Sequence, residues 1–239
     1  MTNSAPAVLF DLDGTLVDPA GGITTGIAHA LSAMNLQVPA PEVLASMVGP
    51  KLSDSLLALT DATNDQIPEL IRHYRHWYAD RGIGMGRVYP GIRDALETLR
   101  ADGVRLGAAT QKPEGLAATV LQAHGLAGYF EVIAGSASDE TLLPGQAGYR
   151  SGKAGIIAAA LDALSGGHAR IAAVMVGDRA QDVDGATANG LDCIGVQWGF
   201  APAGELAAAG AAVVVGDARE LLGELDRRLE VQNASHGAY

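Results

Sequence analysis

The sequence predicts an α/β fold: a parallel sheet core covered by helices on both faces, with an all-helical insert after the first strand. Three observations carry that reading. From residue 89 onward, short apolar runs alternate with amphipathic segments, the pattern of strand–helix repeats that builds a parallel sheet. The first apolar run, Ala7-Val8-Leu9-Phe10, stands apart from them, and the stretch between has helical spacing with no convincing strand. A chain of 239 residues, 48% of them hydrophobic, can bury a substantial core in one or two domains.

Val8–Phe10 is the first expected strand. Residues 22–36 then place Ile23, Ile27, Ala30, Leu31 and Met34 on one helical face, and 66–80 do the same with Ile67, Leu70, Ile71, Tyr74 and Tyr78. Two shorter helices are expected at Val43–Met47 and Ser53–Leu59. The flanks Asp18-Pro19-Ala20-Gly21-Gly22 and Gly82-Ile83-Gly84-Met85-Gly86 read as hinges, because glycine absorbs backbone rotation at low cost, or as two ordinary loops. Later strands are expected at Val104–Ala109, Phe130–Gly135, Ile171–Val176, Asp192–Val196 and Ala212–Val215. Helices are expected near 92–101, 114–124, 153–164, 181–189, 203–209 and 218–230. The chain thus divides into a core, 1–18 with 88–239, and a helical insert, 19–87. Residues 231–239 form a polar, frayed tail.

The formal net charge is -11, and no basic stripe is present to displace counterions, so nucleic-acid binding is not expected. Cys193 is the sole cysteine, which excludes an intramolecular disulfide and a cysteine metal cluster. The first residues, MTNSAPAVLF, lack the basic and long apolar regions of a secretion signal. No run approaches the ~18 consecutive apolar residues of a membrane span. A cytoplasmic setting with no membrane partner is expected.

The chemistry concentrates at FDLDGTLVD, residues 10–18, where Asp11 and Asp13 follow the first strand. Asp13-Gly14 alone reads as a turn, which leaves Asp11 unexplained. A calcium loop counted from Asp11 fails, because its glycine and glutamate positions hold Leu16 and Gly22. A catalytic site is the third reading. Ligands of open α/β sheets bind beyond the carboxyl ends of the strands, and residues two apart in extended chain point to one side. Two like charges so close need a cation or a shared proton. A divalent ion with oxygen ligands meets that need, magnesium being the usual ion with phosphates. One carboxylate can then attack phosphorus while the other handles the leaving-group proton.

Four segments in order resemble the motifs of the haloacid dehalogenase-like phosphatases. FDLDGTLVD is similar to the first, hhhDxDGT. Val104-Arg105-Leu106-Gly107-Ala108-Ala109-Thr110 is similar to the second, a strand ending in Ser or Thr. Lys153 at a helix start resembles the third, and Val174–Asp182, VMVGDRAQD, the fourth, hhhhGDxxxD. The resemblance implies a Rossmann-like core with a helical cap and a magnesium-dependent phosphatase. It makes Asp11 the nucleophile, which forms an aspartyl-phosphate, and Asp13 the acid and then the base. Mg2+ would be held by Asp11, the Asp13 backbone carbonyl and Asp178, with Asp182 supporting it. Thr110 would offer a hydroxyl and Lys153 a cation to the phosphoryl group. Gly14, Thr110, Gln111, Lys112, Lys51 and Lys153 are the candidate substrate contacts.

Of 16 basic residues only three are lysines, Lys51, Lys112 and Lys153, and the last two adjoin motifs. Lys112 reads equally well as a solvated loop cation. Asp182 also reads as a helix cap or surface acid, Thr110 as a helix cap, and Lys51 as an exposed cation. Tyr74 and Tyr78 fit bundle packing better than base stacking.

The insert resembles the cap of the phosphoglycolate phosphatase-like branch, and Tyr89-Pro90-Gly91-Ile92 its return to the core. A closing cap implies a small phosphorylated metabolite as partner. Gly49-Pro50-Lys51-Leu52 and Arg150-Ser151-Gly152-Lys153 resemble the 5'-nucleotidase-like members, which read close to Ser-x-x-Asp-Gly-Thr-Arg-x-x-Lys. Here Ser136–Thr141 is followed by an extra LLPGQAGY, 142–149, able to line the site and alter specificity. A phosphotransferase or phosphomutase shares the same four motifs. A non-catalytic phosphometabolite-binding protein would have lost Asp11 or Asp13, and dehalogenases of the superfamily lack the second aspartate.

Overall fold

The computed structural model describes residues 5–137, 152–166 and 171–236, with side chains as far as 229. Strand β1 (Ala7–Phe10) is wholly buried and leads to the short β2 (Val17–Asp18). The insert follows as α1 (Gly22–Ala33), α2 (Pro41–Ser46), α3 (Leu52–Leu59) and α4 (Ile67–Trp77). A π-helical turn (Tyr78–Gly82) and the one-turn α5 (Ile83–Met85) close it. Strand β3 (Arg87–Val88) returns antiparallel to β2, pairing Val17 with Val88 and Asp18 with Arg87.

The core continues through α6 (Ile92–Ala101), β4 (Arg105–Pro113), α7 (Glu114–Ala123), β5 (Val132–Ser136) and α8 (Gly152–Ser165). It ends with β6 (Ala173–Gly177), α9 (Ala180–Ala188), β7 (Asp192–Val196), α10 (Glu205–Ala208), β8 (Val213–Val215) and α11 (Ala218–His236). The sheet is parallel throughout, ordered β5-β4-β1-β6-β7-β8. Numbered by their own order along the chain, these strands run 3-2-1-4-5-6. That is the doubly wound arrangement, in which the crevice lies beyond the ends of the two central strands.

Alternation along the strands divides the core in two. Val8 and Phe10 of β1 and Val174 and Val176 of β6 face one cluster with Leu96, Val120 and Leu221 of α6, α7 and α11. Ala7, Leu9, Ala173 and Met175 face the other with Ile157, Val183 and Leu206 of α8, α9 and α10. The first cluster runs on into the insert through Ile27, Leu31, Met47, Leu70 and Tyr78. The insert therefore shares an apolar interior with one face of the sheet.

Three expectations need correction. The segment Gly82–Gly86 is not an open hinge, since Gly82 and Gly84 are helical. Gly82 serves close packing: a Cβ on it would lie 2.4 Å from the Tyr78 ring, and a Cβ on Gly22 of α1 would lie 2.5 Å from the Gly82 carbonyl oxygen. The neck is instead the β2–β3 ribbon. Strand β4 runs on to Pro113 rather than ending at Ala109, so Thr110, Gln111 and Lys112 are strand residues. The last helix reaches His236, past the expected end near 230, so the backbone of 231–236 is helical rather than frayed. The 142–149 insertion and Arg150 lie outside the described residues. Among the described residues no helix is long and apolar enough to cross a membrane.

Candidate active site

The ends of β1 and β6, the two central strands, deliver the acids. The Asp11 amide donates to the Val176 carbonyl at 2.9 Å, so strand pairing persists one residue beyond β1 and fixes the Asp11 backbone. Asp11 and Asp13 are 4% and 6% exposed. The chain then turns at Gly14, with φ at +93°, a conformation glycine adopts without strain. Any Cβ there would stand 2.2 Å from Asp178 Oδ2, so Gly14 also keeps the place of Asp178 open. Thr15 Oγ1 donates to Asp178 Oδ1 at 3.2 Å and the Phe200 amide to its Oδ2 at 2.8 Å. Asp178 follows β6 directly and is fully buried.

Lys153, in the first turn of α8, ties two of the acids together. Its Nζ lies 2.6 Å from Asp11 Oδ1 and 2.5 Å from Asp182 Oδ1. The other Asp182 oxygen accepts the Arg179 amide at 3.0 Å, which caps α9. Asp182 is thus a helix cap, but a buried one whose other oxygen belongs to the site. Ligating oxygens of Asp11, Asp178 and Asp182 lie within 4.8 Å of one another.

Electrostatics favour a cation there. Burial raises the Asp178 carboxyl well above its ordinary value, and the charges of Asp11 and Asp182 push it further up. Burial raises Asp182 to about 6 against the pull of Lys153. Burial would pull Lys153 down, but Asp11 and Asp182 together hold its ammonium above the ordinary range. Four buried carboxylates, Asp11, Asp13, Asp178 and Asp182, face two buried ammonium groups, Lys112 and Lys153, an excess of two negative charges. Oxygen-only donors with that deficit fit a hard divalent cation, so the cluster can hold a metal ion.

Asp13 faces differently. Its Oδ2 pairs with Lys112 Nζ at 3.0 Å, while its buried Oδ1 has no hydrogen-bond partner. Burial raises its carboxyl, opposed by Lys112. Asp13 lines a cavity between insert and core, together with Lys51, Leu52, Tyr74, Arg75 and Gln111. Asp11 and Lys153 line a neighbouring recess with Gly49, Gln111, Arg179 and Gln181.

The expected residues are distributed as follows. Thr110 is buried in β4, and its Oγ1 accepts the Lys112 amide at 3.3 Å. It caps no helix, because Pro113 holds that position before α7. Gln111 Nε2 donates to the Gly49 carbonyl of the insert at 3.4 Å. Lys112 is no solvated loop cation, since it is 9% exposed. Lys51 is half-buried at the cavity wall.

Three contributors escaped sequence reading. Arg179, a variable position within the fourth motif, donates from Nη1 to the Val48 carbonyl at 2.7 Å and from Nε to Glu205 Oε1 at 3.0 Å, joining insert to core. Gln181, also in that motif, holds a buried Oε1 with no partner beside the site. Tyr78 packs in the insert as expected, stacked on Tyr74 at 5.4 Å, yet its ring also faces Lys112 Nζ at 4.5 Å. Only the placement of Arg179 and Gln181 inside VGDRAQD pointed to them.

The model of the haloacid dehalogenase-like hydrolase family matches residues 8–196. The tyrosine-protein kinase PtkA of Mycobacterium tuberculosis is 40% identical over 197 residues, 82% of this chain and 64% of that protein. This chain thus spans 64% of the length of that relative. The 5'-nucleotidase of Pseudomonas aeruginosa is 36% identical over 203 residues, 85% of this chain and 87% of that one. Among solved structures, a predicted phosphatase from Clostridium acetobutylicum superposes with a TM-score of 0.83 at 35% identity, covering 94% of this chain and 100% of that one. With the family match extending over the whole acid cluster, the chain belongs to the haloacid dehalogenase-like hydrolase family.

Proposed function

We propose that this chain is a magnesium-dependent phosphatase that hydrolyses a small phosphate monoester through an aspartyl-phosphate on Asp11. The observation that carries the reading is the grouping of Asp11, Asp178 and Asp182 within 4.8 Å at the crevice of the sheet, with Lys153 on Asp11. A carboxylate oxygen of Asp11 attacks phosphorus as the bond to the leaving oxygen breaks, and Asp13 gives its proton to that oxygen. Asp13 then takes a proton from water, whose oxygen attacks phosphorus and breaks the Asp11–phosphorus bond, freeing phosphate. Lys153 and the Thr110 hydroxyl stabilise charge spread over the phosphoryl oxygens. Magnesium would be held by Asp11, Asp178 and the Asp13 backbone carbonyl, with Asp182 in support, and supplies positive charge against the phosphoryl oxygens. Closure of the insert over the site selects a small substrate, a nucleoside monophosphate or phosphoglycolate.

The test is a panel of nucleoside monophosphates, phosphoglycolate, sugar phosphates and p-nitrophenyl phosphate, with and without magnesium. Free phosphate should appear from at least one ester and only with the ion. Release that is indifferent to a chelator, or absent from every ester, overturns the reading.

A second reading, phosphoryl transfer to an acceptor hydroxyl, draws on the 40% identity to a protein named as a tyrosine-protein kinase. In it the acceptor takes the place of water in the second step. Labelled phosphate that moves to a tyrosine peptide, with little free phosphate, would favour it.

A further inference from the structure

The contacts of Lys112 assign it a role distinct from binding substrate, and the inference rests on Asp13 being the acid and base. Lys112 sits in β4, whose pairing with β5 ends at Pro113 opposite Ser136. Its backbone has little freedom, since a Cβ on Gly135 would lie 2.5 Å from the Lys112 carbonyl oxygen. From that fixed backbone Nζ meets Asp13 Oδ2 at 3.0 Å and the Tyr78 hydroxyl at 3.4 Å, and faces the Tyr78 ring at 4.5 Å from its centroid. A carboxylate, a hydroxyl and a ring face already take up the ammonium group, whose side chain is 5% exposed. It is poorly placed to turn toward a substrate anion.

The same contacts leave Asp13 asymmetric. One oxygen is pinned by the ion pair, and the other, Oδ1, is buried without a hydrogen-bond partner in a residue that lines the insert–core cavity. We infer that Lys112 is a positioning residue for proton transfer: it anchors Asp13 Oδ2 so that Oδ1 carries the proton, and Tyr78 of the insert completes the anchor. In the first step Oδ1 gives its proton to the leaving oxygen as the phosphorus–oxygen bond breaks. In the second, Oδ1 takes one proton from the attacking water. A misplacement of about 1 Å at such a group costs on the order of a hundredfold in rate. Because Tyr78 belongs to the insert, the anchor is complete only when the insert is seated on the core.

Leaving-group dependence separates this role from a structural or substrate-binding one. Phenol needs a proton on departure far more than nitrophenol does. The measurement is single-turnover release of phenol from phenyl phosphate and of nitrophenol from p-nitrophenyl phosphate, with magnesium. It compares the wild type with Lys112→Met, Lys112→Arg and Asp13→Asn. Lys112→Met should slow phenol release roughly a hundredfold and nitrophenol release less than about tenfold, with KM little changed. Asp13→Asn should show the same bias, and Lys112→Arg, which keeps a cation, should recover most of the phenol rate. Equal slowing of both esters by Lys112→Met, or a raised KM with unchanged rates, overturns the inference while the Asp13→Asn bias leaves the acid role standing. An Asp13→Asn enzyme with no bias removes that role, and the inference falls with it. If Lys112→Met does not fold, Tyr78→Phe, which removes only the hydroxyl, should show a smaller bias in the same direction; no bias counts against the anchor.

Discussion

Lys153 touches Asp11 and Asp182 at 2.6 and 2.5 Å, all three buried. Its removal leaves two carboxylates without their cation and the phosphoryl group without a charge partner. Lys153→Ala should therefore lower turnover at least about a hundredfold, the scale of losing one strong charge-stabilising donor. Steady-state kinetics near the wild-type value would move that role to another residue. Lys153 was legible from sequence because its motif position and the rarity of lysine both marked it. The partner of Lys112 was not legible, since a strand end carries no periodic signal for which distant carboxylate it will meet.

At the scale of elements, the contact between insert and core depends on α9 and the loop after α2. Arg179 is held on one side by Glu205, whose Oε1 also accepts the Ala180 amide at 2.9 Å, and on the other by the Val48 carbonyl. Gly49, with φ at +102°, lets that loop pass the arginine, since a Cβ there would sit 3.1 Å from Arg179 Cγ. Hydrogen bonds from a charged donor contribute about 1.5–3 kcal/mol. Arg179→Ala should accordingly loosen the seated insert, raising KM for the best ester of the panel about tenfold or more and speeding proteolysis within 19–87. Unaltered KM and protease resistance would show that the apolar interior alone seats the insert. The periodicity of α1 and α4 gave away their buried faces, whereas the glycines of 82–86 misled. Glycine that frees a hinge and glycine that lets two helices touch look the same in one dimension.

For the whole molecule, folding draws four acids to one crevice, and the cost depends on pH. The folded-state carboxyls of Asp178 and Asp182 lie above the ordinary 3.8, Asp182 at about 6. Such groups bind protons more tightly folded than unfolded, so without metal their contribution to stability is complete below about pH 4; that of Asp182 is lost as the pH rises through about 6, and that of Asp178 as the pH rises through its own raised value. A divalent ion competes with those protons and replaces the lost stability. The gap in melting temperature between magnesium and chelator should thus be wider at pH 7 than at pH 5, and Asp178→Asn should nearly abolish it. A gap that narrows toward pH 7 would show that the cluster does not hold the ion.

The sequence by itself determined the succession of strands and helices, the insert after β1, and the acids and lysine of the four motifs. The elements follow from local periodicity, Asp11 and Asp13 from what chemistry needs at a strand end, and Asp178, Asp182 and Lys153 from the resemblance to the family's motifs. Tertiary structure alone decided that Lys112 belongs to Asp13, that Arg179 spans insert and core, and that Tyr78 reaches the site. Each depends on side chains far apart in the chain meeting where β1, β4 and β6 lie side by side. Strand order in space, rather than order along the chain, sets those meetings.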